Sequence, residues 1–281
     1  MKRYFGAHVS AAGGLENALK AACALGINTI QIHPSPPQRW NSSAHPEGAE
    51  KNYLSLLPNS GVEKVFFHAI YLINLANPDE KNFHLSKLSL VNNLDLASRI
   101  GAEGVIFHVG SMKDQADEAE GYDRVVSGIN WIFENSKNDA RLILEVAAGS
   151  GSVIGDRMEE LRVIYDQVDN KDRLGFGLDT QHMWASGYDF VGNLEGVVSE
   201  IESVFGYDKV WSVHLNDSKT ALGSRKDRHE NLGDGLIGTD PLKGFFMHPK
   251  LAKVPFIMET PALGTPEGAA LEVAKLRGYL G

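Results

Sequence analysis

The sequence predicts an α/β fold of eight β/α units closed into one barrel, with a polar site at the C-terminal ends of the strands. Three observations lead there. Short β-rich runs alternate with amphipathic helical stretches from end to end, which implies parallel pairing. The runs number eight, the count that closes a parallel sheet on itself. The chain of 281 residues carries no linker or low-complexity stretch, so residues 1–281 are expected to form one domain.

The strands are expected at Tyr4–Val9, Thr29–His33, Lys64–His68, Gly104–His108, Leu142–Val146, Leu174–Asp179, Val210–His214 and Pro255–Glu259. Helical patterns follow them, among them Gly14–Leu25, Asn82–Ile100, Gly155–Gln167 and Leu194–Phe205. The last stretch, Thr265–Leu280, opens on Thr265-Pro266-Glu267, a helix-start signal in which proline takes a position whose N–H would have no partner. The longest departure from the rhythm is the loop Leu215–Asp240, rich in Gly, Asn, Asp, Ser, Lys and Arg. A loop of that length in a compact barrel is usually functional, and here it falls on the active-site face.

Composition limits the partners. The formal charge of −9 argues against a protein that coats nucleic acid by electrostatics alone. That objection weakens if several acidic residues hold divalent cations, which then become the largest local positive charges. The one cysteine, Cys23, leaves no internal disulfide, fits a reducing cytoplasm, and is expected in the core because it lies in an alanine-rich helical pattern. The first residues lack the apolar run of a signal peptide, and no stretch approaches the roughly 20 apolar residues of a membrane span. A cytoplasmic location without membrane contact is the expectation.

The donor residues fall on the strand map in a pattern. His68, His108, Glu145, Asp179, His214 and Glu259 fall at the ends of strands three to eight; His182 lies three residues past Asp179, and the long loop adds Asp227 and His229. In a parallel barrel these ends converge on one rim. A single His there is ordinarily a hydrogen-bonded rim residue, and a single Asp or Glu a helix cap. Nine together are different, because four carboxylates crowded without cations would raise one another's pKa and cost stability. Five imidazoles among them suit zinc or a similar borderline cation better than Mg²⁺ or Ca²⁺.

At about three protein ligands per catalytic zinc, and with one carboxylate shared, nine donors suit three ions. Asp227 and His229, at i and i+2 of an extended segment, point to one spot and with His182 would make a third triad. His8 ends the first strand beside the same bowl and is expected to orient a ligand. His33, His45, His84 and His248 lack matching partners and are expected to take no part. Such a cluster suits phosphate-ester hydrolysis: cations generate a nucleophile and clamp phosphate oxygens without an attacking side chain. No GxSxG motif or P-loop suggests otherwise.

Several segments carry a resemblance: Gly6-Ala7-His8-Val9-Ser10-Ala11-Ala12-Gly13-Gly14, Tyr71-Leu72-Ile73-Asn74-Leu75, Phe107-His108-Val109-Gly110-Ser111, Leu178-Asp179-Thr180-Gln181-His182 and Ala185-Ser186-Gly187-Tyr188-Asp189. The most specific is His214-Leu215-Asn216-Asp217-Ser218-Lys219, continuing through Gly223-Ser224-Arg225-Lys226-Asp227-Arg228-His229 to Leu232-Gly233-Asp234-Gly235; Met258-Glu259-Thr260-Pro261 completes the set. On these the chain resembles endonuclease IV, the apurinic/apyrimidinic-site DNA repair endonuclease family of the xylose-isomerase-like TIM-barrel superfamily.

The resemblance implies a three-zinc site. His68, His108 and Glu145 would hold one ion; Glu145 would bridge to a second, held also by Asp179, His214 and Glu259; His182, Asp227 and His229 would hold the third. With Glu145 as the shared carboxylate, a metal-bound hydroxide would attack phosphorus. The resemblance further implies cleavage 5′ to abasic sites in double-stranded DNA, base excision repair, leaving a 3′-hydroxyl and a 5′-deoxyribose phosphate, with trimming of blocked 3′ ends, by a monomer. Mn²⁺ could replace zinc in such a site.

Tyr71-Leu72 matches the family's pair of side chains inserted into DNA, and a missing base makes that insertion cheaper. The loop Pro36-Pro37-Gln38-Arg39-Trp40 matches its second inserted loop, with the family's arginine at Gln38 or Arg39. Arg225, Lys226 and Arg228 are candidate phosphate contacts. The chain departs from the family at Val146-Ala147, where Asn-Thr is common, and at Val109, where Pro is common. The rival reading is a metal-dependent sugar isomerase or epimerase of the same superfamily, which has no need of His182 with Asp227 and His229.

Overall fold

A computed structural model of the chain describes residues 2–35, 40, 48–113 and 117–281. In chain order the elements are β1 (Phe5–His8), α1 (Leu15–Leu25), β2 (Thr29–Ile32), α2 (Ala49–Leu56), β3 (Lys64–His68), α3 (Glu80–Ile100), β4 (Gly104–Phe107), α4 (Glu118–Asn135), β5 (Leu142–Glu145) and α5 (Met158–Gln167). There follow β6 (Leu174–Asp179), α6 (Thr180–Ser186), α7 (Leu194–Val204), β7 (Val210–His214), β8 (Asp217–Ser218), β9 (His229–Glu230), α8 (Thr239–Met247), β10 (Phe256–Met258) and α9 (Pro266–Gly278).

Eight strands close into a barrel in the order β1-β10-β7-β6-β5-β4-β3-β2, every neighbouring pair parallel. The side-chain period of two divides each strand between inside and outside. Val65, Phe67, Val105, Phe107, Leu142 and Leu144 point outward into the large core beneath the helices, whereas Phe66, Ile106, Ile143 and Ile257 form a separate buried cluster against Trp211 inside the barrel. That apolar plug floors the barrel, and the polar groups stand above it at the C-terminal ends of the strands.

Local chemistry fixes the helix ends. Asp79 caps α3 by accepting from the Asn82 N–H, and Gly101, in the left-handed region at φ 73°, ends it. Thr265 caps α9 ahead of Pro266, as the Thr-Pro-Glu signal predicts. Boundaries shift modestly from the sequence expectation. His33, His108, Val146 and Glu259 lie one place beyond the last ladder residues of their strands, and α5 begins at Met158 rather than Gly155, because the chain there already turns into the rim loops. The long loop is not featureless: β8 and β9 pair antiparallel within it, Ser218 opposite His229. Cys23 is a correction. The buried face of α1 is Leu15, Ala18, Leu19 and Ala22, so Cys23, one step of about 100° round from Ala22, is exposed.

Candidate metal centre

Glu145, fully buried at the end of β5, is the hub of the rim. Its Oε2 lies 3.0 Å from His68 Nε2 and 3.3 Å from His108 Nε2, and its Oε1 lies 2.6 Å from His214 Nδ1. On the far side His214 Nδ1 faces Glu259 Oε2 at 3.4 Å and Asp179 Oδ2 at 3.7 Å. Asp179 carries both roles that its position suggests: Oδ1 caps α6 by accepting from the His182 N–H at 2.9 Å, and Oδ2 accepts from Asn216 Nδ2 at 2.7 Å while facing the bowl. A third group follows. His182 and His229 bring their Nε2 atoms to 3.3 Å from one another, with Asp227 Oδ1 3.5 Å from the first and 3.4 Å from the second.

Donor atoms close enough to share an ion form the sets His68-His108-Glu145, Glu145-Asp179-His214-Glu259, His68-His214-Glu259 and Asp179-His182-His229 among the described residues. These sets share members and join eight of the nine residues expected at the rim; the ninth, Asp227, reaches the cluster through its contacts with His182 and His229. The ring orientations test whether cations fit. The Nδ1–H groups of His68, His182 and His229 donate to the carbonyls of Ala69 (2.8 Å), Val146 (3.0 Å) and Glu259 (3.3 Å). A carbonyl only accepts, so each neutral ring keeps its hydrogen on Nδ1 and aims the Nε2 lone pair at the carboxylates. At His182 and His229 two neutral rings would set lone pair against lone pair; a proton on His182, or a bound cation in its place, relieves that repulsion. His108 differs, since its buried Nδ1 has no hydrogen-bond partner among the described residues. The donor set fits borderline divalent cations.

Electrostatics agree. Burial alone would push the Glu145 carboxyl up, but His108 and His214 beside it hold it well below the usual range. Burial would likewise raise Glu259, and His214 with His8 and His68 outweighs it. Against burial, the Glu259 and Glu145 carboxylates lift His214 to about 9, and Asp179 with Asp227 holds His182 well above its ordinary value. Burial dominates at His108, whose pKa falls. Without metal the cluster keeps its carboxylates ionised by charging imidazoles, the task that cations would otherwise perform.

Tyr71, in the turn after β3, is 72% exposed, whereas Leu72 is partly buried against the core, so only the tyrosine stands free above the rim. Asn74 fixes this turn to the neighbouring one: its Nδ2 donates to Ser111 O at 2.8 Å and its Oδ1 accepts from Ser111 N at 3.1 Å. Gly110, at φ 118°, passes so close that a Cβ there would meet Asn74 Oδ1 at 2.0 Å. Gln38 and Arg39 lie outside the described residues. Lys226 and Arg228 are exposed beside Asp227. Arg225 is exposed too, yet its guanidinium already donates to Gly149 O (2.7 Å) and Asp156 Oδ2 (2.9 Å), so it anchors the long loop to the turn after β5.

Other residues escaped sequence reasoning. His33, expected to stand apart, belongs to the bowl wall: its ring lies 4.5 Å from that of His8, its Nδ1–H donates to His68 O at 3.0 Å, and burial pushes its pKa down to about 4. Asn216 is fully buried and ties Asp179 to the Glu259 backbone, whose N–H it accepts at 2.8 Å. Gln31, fully buried on β2, contacts His8 at 3.0 Å and His214 at 2.7 Å. The one available signal was a polar residue within the β-branched run Thr29-Ile30-Gln31-Ile32, on the same strand face as Thr29.

Comparisons with known proteins match this geometry. The family model described as "Xylose isomerase-like TIM barrel" matches residues 19–278. "Probable endonuclease 4" of Halothermothrix orenii is 36% identical over 258 residues, covering 91% of this chain and 92% of that protein. "Probable endonuclease 4" of Thermotoga maritima is 34% identical over 275 residues, covering 96% and 94%. The crystal structure of endonuclease IV from Thermus thermophilus superposes with a TM-score of 0.89 at 33% identity, covering 99% of each chain.

Proposed function

We propose, for a chain that belongs to the xylose isomerase-like TIM-barrel family and within it to endonuclease IV, a zinc-dependent hydrolase that cuts the DNA backbone 5′ to abasic sites. The observation that carries this reading is the continuity of three donor groups around Glu145, more than a single-ion site requires. His68, His108 and Glu145 would hold one ion; Glu145, Asp179, His214 and Glu259 a second; His182, Asp227 and His229 a third. The ions, when bound, supply a nucleophile at neutral pH and positive charge for the phosphate oxygens and the leaving group. Mn²⁺ can stand in for zinc with the same ligands.

The protein's own groups do the rest. Glu145 joins two donor groups through its two oxygens and so fixes their spacing. Tyr71, free of the core, inserts where a base is missing, with Leu72 as its support. Lys226 and Arg228 contact phosphates beside the third group; Arg225 adds its exposed edge to that contact while holding the loop. His8, 3.7 Å from Glu259 Oε1, stands behind that carboxylate. The products are a 3′-hydroxyl and a 5′-deoxyribose phosphate, and blocked 3′ ends are trimmed at the same site. A cytoplasmic, monomeric, single-domain enzyme completes the reading.

A sugar isomerase leaves the His182-Asp227-His229 group without a task. The deciding experiment offers the protein an end-labelled duplex with one abasic site, an intact duplex and a ketohexose. Nicking of the abasic strand alone, abolished by a chelator, is expected. Isomerisation of the sugar without nicking would overturn the proposal, and binding without nicking would make the protein a silent lesion binder.

A further inference from the structure

We infer that Gln31 is a positioning residue that selects which ring nitrogen His214 offers to the metal group and holds Glu259 beside it. The inference rests on the metal reading above and adds to it a residue from β2, which, like β1, supplies none of the nine donors. Gln31 is 0% exposed, and both ends of its amide are used. Its Nε2 donates to Glu259 Oε1 and to His8 Nδ1 (3.0 Å), and its Oε1 lies 2.7 Å from His214 Nε2. The reverse amide orientation would press the oxygen against the Glu259 carboxylate, two acceptors facing each other, so the arrangement is chemically directed.

The consequence falls on His214. An amide oxygen only accepts, so His214 Nε2 keeps its hydrogen whether the ring is neutral or charged. The nitrogen free to meet a cation is then Nδ1, the atom that faces Glu145 at 2.6 Å, Glu259 at 3.4 Å and Asp179 at 3.7 Å. His214 thus reverses the pattern of His68, His182 and His229, whose Nδ1–H groups donate to carbonyls and whose Nε2 atoms face the bowl. Where backbone carbonyls serve the other three rings, a side-chain amide serves this one. The same NH₂ steers Glu259. An apolar residue at position 31 would leave a buried Nε2–H unsatisfied and one carboxylate oxygen without its donor.

The test uses zinc-loaded wild type, Gln31→Leu and Gln31→Met, titrated with a chelator while released zinc is counted, together with nitrogen NMR of the His214 ring. In the wild type the His214 proton is expected on Nε2 with Nδ1 metal-bound; a proton on Nδ1 overturns the inference without any variant. In each folded variant one zinc is expected to leave at a roughly 10- to 100-fold lower chelator concentration, the others staying within about twofold. His214 should also lose its single tautomer, a change that loosened packing alone would not produce. Unchanged zinc release with an unchanged ring overturns the role of Gln31. A wild type that takes up no zinc would instead overturn the metal reading itself.

Discussion

His182 and His229 meet nose to nose, their Nε2 atoms 3.3 Å apart, while each ring's Nδ1–H is committed to a main-chain carbonyl. They come from different parts of the chain, α6 and β9, and without metal the contact needs a proton on His182, which Asp179 and Asp227 hold there against burial. A bound cation would take that proton's place. His229→Ala removes one of these nitrogens and leaves Glu145, His68, His108 and His214 untouched. Zinc content is expected to fall by about one equivalent, with two retained. Nicking of an abasic duplex should drop by roughly 100-fold or more, at least the upper range for losing a mere partner of a metal ligand. Unchanged zinc content would contradict this account of the third group.

Asp217 is fully buried, and its carboxylate accepts from the N–H groups of Gly233 (3.1 Å), Gly235 (3.0 Å), Ile237 (2.9 Å) and Gly238 (3.1 Å). Glu272 of α9 adds a bond from Leu232 N at 2.9 Å. Two buried carboxylates thus gather the segment that follows His229. Asp217→Ala removes the acceptor of four N–H groups, that of Ile237 buried and the other three partly so, at a cost of about 3 kcal/mol, and the melting temperature should fall by roughly 6–12 °C. Thermal unfolding of the metal-free variant measures it; a shift under about 2 °C would show that the loop holds itself.

Tyr71 is exposed enough that the fold gains little from it. Tyr71→Ala is expected to leave stability within about 0.5 kcal/mol of wild type. Binding of abasic DNA should weaken by roughly tenfold or more, the loss of about 1–3 kcal/mol of stacking. Paired melting and titration experiments separate the two effects; equal affinity for the abasic duplex would remove the tyrosine from lesion recognition.

The pH dependence of the metal-free protein has a definite sign. His214 rises from 6.5 unfolded to about 9 folded, so its stabilising charge is fully present below pH 6.5 and is lost as pH rises through about 9. Glu145 and Glu259 are lowered from 4.5, so their contribution is present above pH 4.5 and is lost as pH falls below it. Zinc must displace the His214 proton, so its stabilisation grows as pH rises. The gap between melting temperatures with zinc and with chelator should therefore widen from about pH 6 to about pH 9. A constant gap would contradict the proton–metal competition.

The barrel and its rim were legible because periodicity and strand order are properties of the local chain. Once the strands are parallel, His68, His108, Glu145, Asp179, His214 and Glu259 must share one end. What escaped depends on contacts between segments far apart. Gln31 meets His214 across 183 positions, and nothing local in either segment announces the pairing. Asp217 in its motif gives no sign that it would collect four amides from its own loop. Cys23 and Arg225 show the same limit from the other side: one step of helix rotation exposes the first, and a distant Asp156 engages the second.

Zinc addition to stripped protein, with nicking of an abasic duplex read at each equivalent, tests the three-ion centre most directly. Cutting should stay near background through the first equivalent and reach its full rate only as the third is bound, about three per chain. Full activity at one equivalent, or none at any loading, would contradict it.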